Sequence, residues 1–258
     1  MNSIFKYTEN NGDVIITGLK EGVSDTSIVI PETIDGMPVT AIGAKAFEFT
    51  SITDIKIGAN IRKIGNEAFS YCAKLIAVRW NCKCNAIPDY CFLECSNLTS
   101  FDFSSIKKIG IYAFGVSGLQ EVCLPKNIEI ISTGTFSRCN GLRSVTWNGT
   151  CDVIPADCFA FCSNLTNFDF SGIKKVGTGA FEKSGLTSVT LSKGTIVCKK
   201  CFVHCKSLAK VEWLSARNIE GNIFAGCKNI KEICISDKVK NIEASAFESS
   251  PKAEITFV

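Results

Sequence analysis

Three cysteines and the chain's only histidine fall inside eight residues, in the segment CKKCFVHC at 198–205. Cys198, Cys201, His204 and Cys205 are the donor types that zinc prefers, and a structural site needs four of them converging at about 2.0–2.3 Å from one point. Asp102 and Asp169 are the carboxylates whose surroundings match each other, the pairing that general acid–base chemistry would use. One histidine in 258 residues leaves little room for nucleophile–base schemes, and the glycines form no phosphate-binding loop. Whether any of these groups cooperate depends on the elements that carry them.

Those elements repeat. Phe47, Phe69, Phe92, Phe114, Phe136, Phe159, Phe181, Phe202, Phe224 and Phe247 recur at a nearly constant interval. Five residues before each stands a β-branched aliphatic, from Ile42 and Ile64 through Val176 and Val197 to Ile242. Between the phenylalanines runs an apolar-x-x-apolar-x-apolar pattern, as in LQEVCL, LRSVTW, LTNFDF and LTSVTL. Its last two apolar positions alternate with polar ones, the period of a half-buried strand. The IG..AF portion is too short for an independent helix and reads as a short strand followed by a tight helical turn. One such coil buries too little apolar surface to offset the ordering of its own backbone. Stacked coils that share a core and backbone hydrogen bonds are the physical solution. A slower period lies on top. Trp80, Trp147 and Trp213 are almost evenly spaced, one to every three coils, and CSNLTSFDFSSIKKIG nearly recurs as CSNLTNFDFSGIKKVG. Three coils form a duplicated unit.

Strands such as LTSVTLS followed by IG..AF..C, and the entry IVIPETIDGMPVTAIGAKAF, resemble the BspA-like leucine-rich repeat family over roughly residues 28–258. The resemblance implies a leucine-rich-repeat solenoid, a right-handed and mainly β coil. The phenylalanine spacing gives it about ten repeats, each about 22 or about 23 residues long, within the range of stacked structural repeats. It places a parallel sheet on the concave face and short strands with helical turns on the convex side. It also implies a cell-surface or secreted protein associated with adhesion. The chain differs from that pattern in its 15 cysteines and in its opening, MNSIFKYTENNGD, which lacks the basic start and apolar run of a secretory signal. A full-length chain with that opening is expected in the cytoplasm.

The cysteines follow the repeat. Cys72, Cys95, Cys139, Cys162, Cys205 and Cys227 each lie three residues after a repeat phenylalanine, where other copies carry Thr50, Ser117, Ser184 and Ser250. Cys91, Cys158 and Cys201 directly precede the phenylalanine, where alanine is common. These positions read as buried corners, so Cys201 and Cys205 are structural and no metal or cofactor is expected. Neighbouring coils stack at about 4.8 Å, within the Cα range of a disulfide. Parallel corner side chains point alongside one another, however, which favours free thiols. Asp102 and Asp169 occupy equivalent positions three coils apart, about 15 Å at the strand spacing, too far for joint catalysis. No enzyme is expected.

Surface remains. The outward strand positions are Lys56, Arg79, Asp102, Cys123, Thr146, Asp169, Thr190 and Glu212, continuing to Cys234 and Thr256. Small and polar, they suit a concave surface for a protein or glycan partner. A basic edge, Arg62-Lys63, Lys107-Lys108, Lys174-Lys175, Arg217 and Lys240, is interrupted by Glu129 and Asp152. A net charge of +3 is too small for a nucleic-acid binder, and no apolar run is long enough to span a membrane. Residues 1–27 are expected to form a hairpin-like cap, and 28–258 a single solenoid domain. The bare final strand, AEITFV, is expected to be covered by an end-to-end homodimer partner, by a crystal neighbour or by further residues. The resulting expectation is a non-enzymatic recognition or adhesion module, the alternative being an intracellular scaffold with reduced, buried cysteines.

Overall fold

The computed structural model describes residues 3–148, 150–215, 217–250 and 254–258. The chain is a mainly-β solenoid of about eleven turns with almost no helix. Alternation of apolar and polar residues produces the first strand series: Asp54–Ile57, Ala77–Trp80, Glu121–Leu124, Ser144–Trp147, Ser188–Leu191, Lys210–Trp213, Glu232–Ile235 and Glu254–Phe257. Neighbours pair in parallel at equivalent repeat positions, Val122 opposite Val145 and Val189 opposite Val211. Ser27–Val29 begins the series beside Asp54–Ile57. A second series of two-residue strands, including Lys63–Ile64, Lys108–Ile109 and Lys175–Val176, ends on the aliphatic that precedes each phenylalanine by five residues.

The phenylalanines form the axis of the core. Successive rings from Phe47 to Phe247 stack with centroids 5.2–5.9 Å apart, close to the spacing of adjacent strands. Each of the three tryptophans packs edge-on against a member of this stack. Each also closes its own loop, its indole N–H donating to the carbonyl four residues on: Trp80 to Cys84 at 2.9 Å, Trp147 to Cys151 at 2.7 Å and Trp213 to Arg217 at 3.1 Å.

The corners differ from the helical turn expected at IG..AF. Among the described residues only Ala244–Phe247 is a 3-10 turn. Elsewhere the backbone alternates between donating within its own coil and donating to the next. Phe47 N–H bonds Ala68 O at 2.8 Å and Phe49 N–H bonds Ser70 O at 3.1 Å, whereas Glu48 N–H returns to Lys45 O at 3.1 Å. That alternation places the residues two before and two after each phenylalanine from Phe47 to Phe224 in the left-handed region, as at Tyr112 (φ 47°) and Val116 (φ 57°). A true helix would consume the N–H groups that bind coil to coil.

The concave series also departs from expectation. Residues 100–103 and 167–170, the two SFDF and NFDF segments, stand outside the strand ladders. In each, two rings point inward and touch, Phe101 with Phe103 at 5.0 Å and Phe168 with Phe170 at 4.9 Å. The aspartate between them bonds locally, Asp102 Oδ1 accepting the Ser104 N–H at 2.9 Å and Asp169 Oδ1 the Ser171 N–H at 2.8 Å. Such side-chain bonding competes with strand pairing.

At the start, Phe5–Asn10 and Asp13–Leu19 form an antiparallel hairpin. Its second strand runs parallel to Met37–Ile42, burying Val14 and Ile16, and Phe5 meets Phe47 edge-on at 6.5 Å.

Candidate functional site

The outward strand residues share one face, in three blocks. Lys56 lies opposite Arg79, Cys123 opposite Thr146, and Thr190 opposite Glu212, which continues to Cys234 and Thr256. Lys56, Arg79, Cys123, Thr146 and Thr190 are exposed and Glu212 half-buried. Asp102 and Asp169 sit on this side, exposed, at the two interruptions of the ladder. The Ser104 and Ser171 amides hold their carboxyls below the usual carboxylate range, so both are acceptors rather than acids at neutral pH. Glu212 is held low by Lys210, with Nζ at 3.0 Å, and by the Thr190 hydroxyl at 3.1 Å. This last block is a small polar network.

The basic edge is partly self-neutralised. Lys107 pairs with Glu129 at 3.1 Å and Lys174 with Asp152 at 2.7 Å. The acids that interrupt the row in sequence are the partners of its lysines in space.

CKKCFVHC is dispersed by the fold. Cys201 and Cys205 are buried and His204 is exposed, with its ring lying over Gly226 of the next coil. The Cys201 thiol donates to Cys198 O at 2.7 Å, and that of Cys205 to Phe181 O at 3.0 Å. Among the described residues, no three His, Cys, Asp or Glu side chains are placed to hold a metal ion.

The corner column is a chain of buried thiols. Cys72, Cys95, Cys139, Cys162, Cys205 and Cys227 each donate to the carbonyl of a phenylalanine in the preceding coil, at 2.9–3.1 Å. Thr50, Ser117 and Ser184 extend the column, each within 3.3–3.4 Å of a cysteine sulfur. Burial raises the thiol pKa of Cys72, Cys95 and Cys162, and that of Cys139 to about 11. All the cysteines are free. The column needs a small residue with one polar hydrogen, which Cys, Ser and Thr all supply.

A second outward row, two residues after each phenylalanine, was not singled out from sequence. Phe49 and Tyr71 stack at 4.5 Å in the open. Further along, Arg138 and Lys183 both lie over the Phe161 ring, at 4.2 and 4.6 Å. Aligning the repeats makes the column visible, but the outward direction of its rings follows from left-handed backbone at that position.

Comparison with known proteins accords with this geometry. A family model described as BspA type leucine rich repeat region, in six copies, matches residues 21–140, 85–209 and 195–258. Solved structures similar to the chain include a leucine-rich repeat protein from Bacteroides ovatus, at 23% identity and TM-score 0.72, covering 96% of this chain and 79% of that one. A leucine rich cell surface protein from Faecalibacterium prausnitzii aligns at 20% identity and TM-score 0.54, covering 100% and 94%. The pneumococcal vaccine antigen PcpA aligns at 18% identity and TM-score 0.56, covering 99% and 80%. A search of curated proteins finds no match.

Proposed function

Because the chain belongs to the BspA-type leucine-rich repeat family, we propose that it is a non-enzymatic recognition module that holds a protein partner against its concave face. The contact residues are Lys56, Arg79, Asp102, Cys123, Thr146, Asp169, Thr190 and Glu212. The observation that carries this reading is the register: equivalent outward side chains, mostly small or polar and exposed, stand side by side on consecutive parallel strands. A rigid array of that kind presents a preformed surface and loses little entropy on binding. Adhesion at a cell surface is the corresponding biological role; it is supported by the family and by the cell-surface protein among the structural neighbours. The test is capture from host extracellular matrix and from cell lysate, comparing the native chain with an Arg79→Glu, Thr190→Arg double variant. Partners retained equally by both would refute the concave assignment.

The thiol column favours a second reading, an intracellular scaffold. Its cysteines serve as S–H donors, a role only reduced sulfur fills. Titrating thiols on protein purified without reductant discriminates: near 15 free thiols, the number in the chain, points to a reducing compartment, and few to an extracellular one.

The hairpin within residues 1–27 acts in this reading as the cap of a solenoid domain at 28–258. Ile255, Phe257 and Val258 are exposed, and pairing through Glu254–Phe257 is the proposed route to an end-to-end homodimer. A strictly monomeric mass by light scattering would remove it.

A further inference from the structure

On the corners that follow the repeat phenylalanines, a groove of about 470 Å³ is lined by Ser163, Lys183, Ser184, Gly185, Lys206 and Ser207, with His204. A second groove of about 440 Å³ shares His204 and adds Lys200 and Lys228, with Glu248 at its rim. Among the described residues, the two linings hold four lysines and one histidine against the carboxylate of Glu248. Glu182, 3.5 Å from Lys183, offsets one of the lysines. This excess differs in kind from the basic edge, where Lys107 and Lys174 are matched by acids one coil away.

The duplicated unit supplies an internal comparison. Ser163, Ser184 and Gly185 correspond to Ser96, Ser117 and Gly118, so the frame is the same in both copies. A Cβ at Gly118 or Gly185 would meet a serine carbonyl of the preceding coil, Ser96 and Ser163 respectively. The rim is not the same: Val116, Arg138, Asn140 and Gly141 become Lys183, His204, Lys206 and Ser207. Fold alone therefore does not require the cations, since the other copy builds the corner without that set.

We propose that this corner surface binds a glycan bearing tetrahedral oxyanion esters, such as sulfate groups. The residue types suit that class. The linings carry lysines and no arginine, and lysine offers a compact point charge that accepts a tetrahedral oxyanion without a fixed fork. The exposed hydroxyls of Ser163 and Ser207 add donors for ester or sugar oxygens. Two grooves meeting at His204 suit a chain with more than one anionic group rather than a single free ion. None of its residues belongs to the outward strand set, so it stands or falls independently of the concave assignment.

His204 is the only histidine, so its ring signals in an NMR titration report on this place alone. The probe is a heparin-derived sulfated hexasaccharide, compared with the same chain desulfated and with inorganic sulfate. The sulfated chain should shift the His204 ring resonances and bind at least tenfold more tightly than either control. Lys183→Gln with Lys206→Gln should weaken binding at least tenfold, while Lys107→Gln with Lys174→Gln should leave it unchanged. Unmoved His204 signals, equal binding of the desulfated chain, or equal affinity for inorganic sulfate would overturn the proposal. So would a Lys183/Lys206 double variant that binds like the native chain while keeping its native circular dichroism.

Discussion

Individual residues in this chain are chosen by column. A corner thiol is isosteric with serine and more apolar, which suits a position that is buried yet must donate one hydrogen bond. Raising a thiol pKa in the folded state favours the protonated form. For Cys139 the contribution is complete below the usual thiol value of 9.0 and is lost as pH rises through about 11. Between those limits the unfolded chain sheds its proton first, so stability should fall with pH. Denaturation midpoints measured from pH 8 to 11 should decline, and less so in Cys139→Ser. At pH 8 a small alkylating reagent should label exposed Cys123 and leave Cys139 unmodified until the chain unfolds, as read by peptide mass spectrometry. Val116 is a second case. A β-branched residue at φ 57° bears a left-handed penalty of about 1–2 kcal/mol, and Gly226 occupies the same column with φ 73°. Val116→Gly should therefore raise stability, by about 0.5–1 kcal/mol after the extra entropy of glycine in the unfolded chain is subtracted.

Each coil is joined to the next by two unlike seams. The convex seam continues from Phe47 to Phe224, each of these phenylalanine amides reaching the next coil. The concave ladder breaks at 100–103 and 167–170. Hydrogen exchange should follow the seams: the Phe92 and Phe159 amides slow, the Phe101 and Phe168 amides fast. Equal protection of all four would contradict the interruption. Gly118 marks a place where coils approach too closely for a side chain, because a Cβ there would meet backbone at Ser96. Gly118→Ala should lower the denaturation midpoint by the equivalent of about 2 kcal/mol, within the range for backbone and packing strain. Gly172, at a different point of the repeat, has nothing near its Cβ position, although its φ of 76° still disfavours alanine.

Taken end to end, the solenoid is close to one-dimensional, each coil resting on its two neighbours. Phe136 stacks on Phe114 and Phe159 at 5.9 and 5.7 Å. Phe136→Ala should cost about 3–5 kcal/mol and split or broaden the urea transition, since the weakened coil separates two stretches of core. Phe247→Ala, near the end of the stack, should remove protection from the last described coils and leave the main transition in place. A single sharp transition shifted equally by both substitutions would argue for a globular core instead.

The repeat length, the coils, the inward set and the outward column were all legible in the linear chain. The near-constant interval from one repeat phenylalanine to the next, and alternation within a strand, are properties that any stacked arrangement must satisfy. Whatever depends on the neighbouring coil emerged only in the folded solenoid. NFDF has the alternation of its sister strands, and only the crowding of Phe168 against Phe170 and Phe181, with Asp169 bonding locally, takes it out of the ladder. The CKKCFVHC donors are adjacent in sequence, yet alternating left- and right-handed backbone sends the thiols of Cys201 and Cys205 inward and the His204 ring outward. The same handedness turns the Phe161 column outward and builds the lysine-lined grooves, because a side chain's direction there is set by hydrogen bonds to the next coil rather than by local spacing.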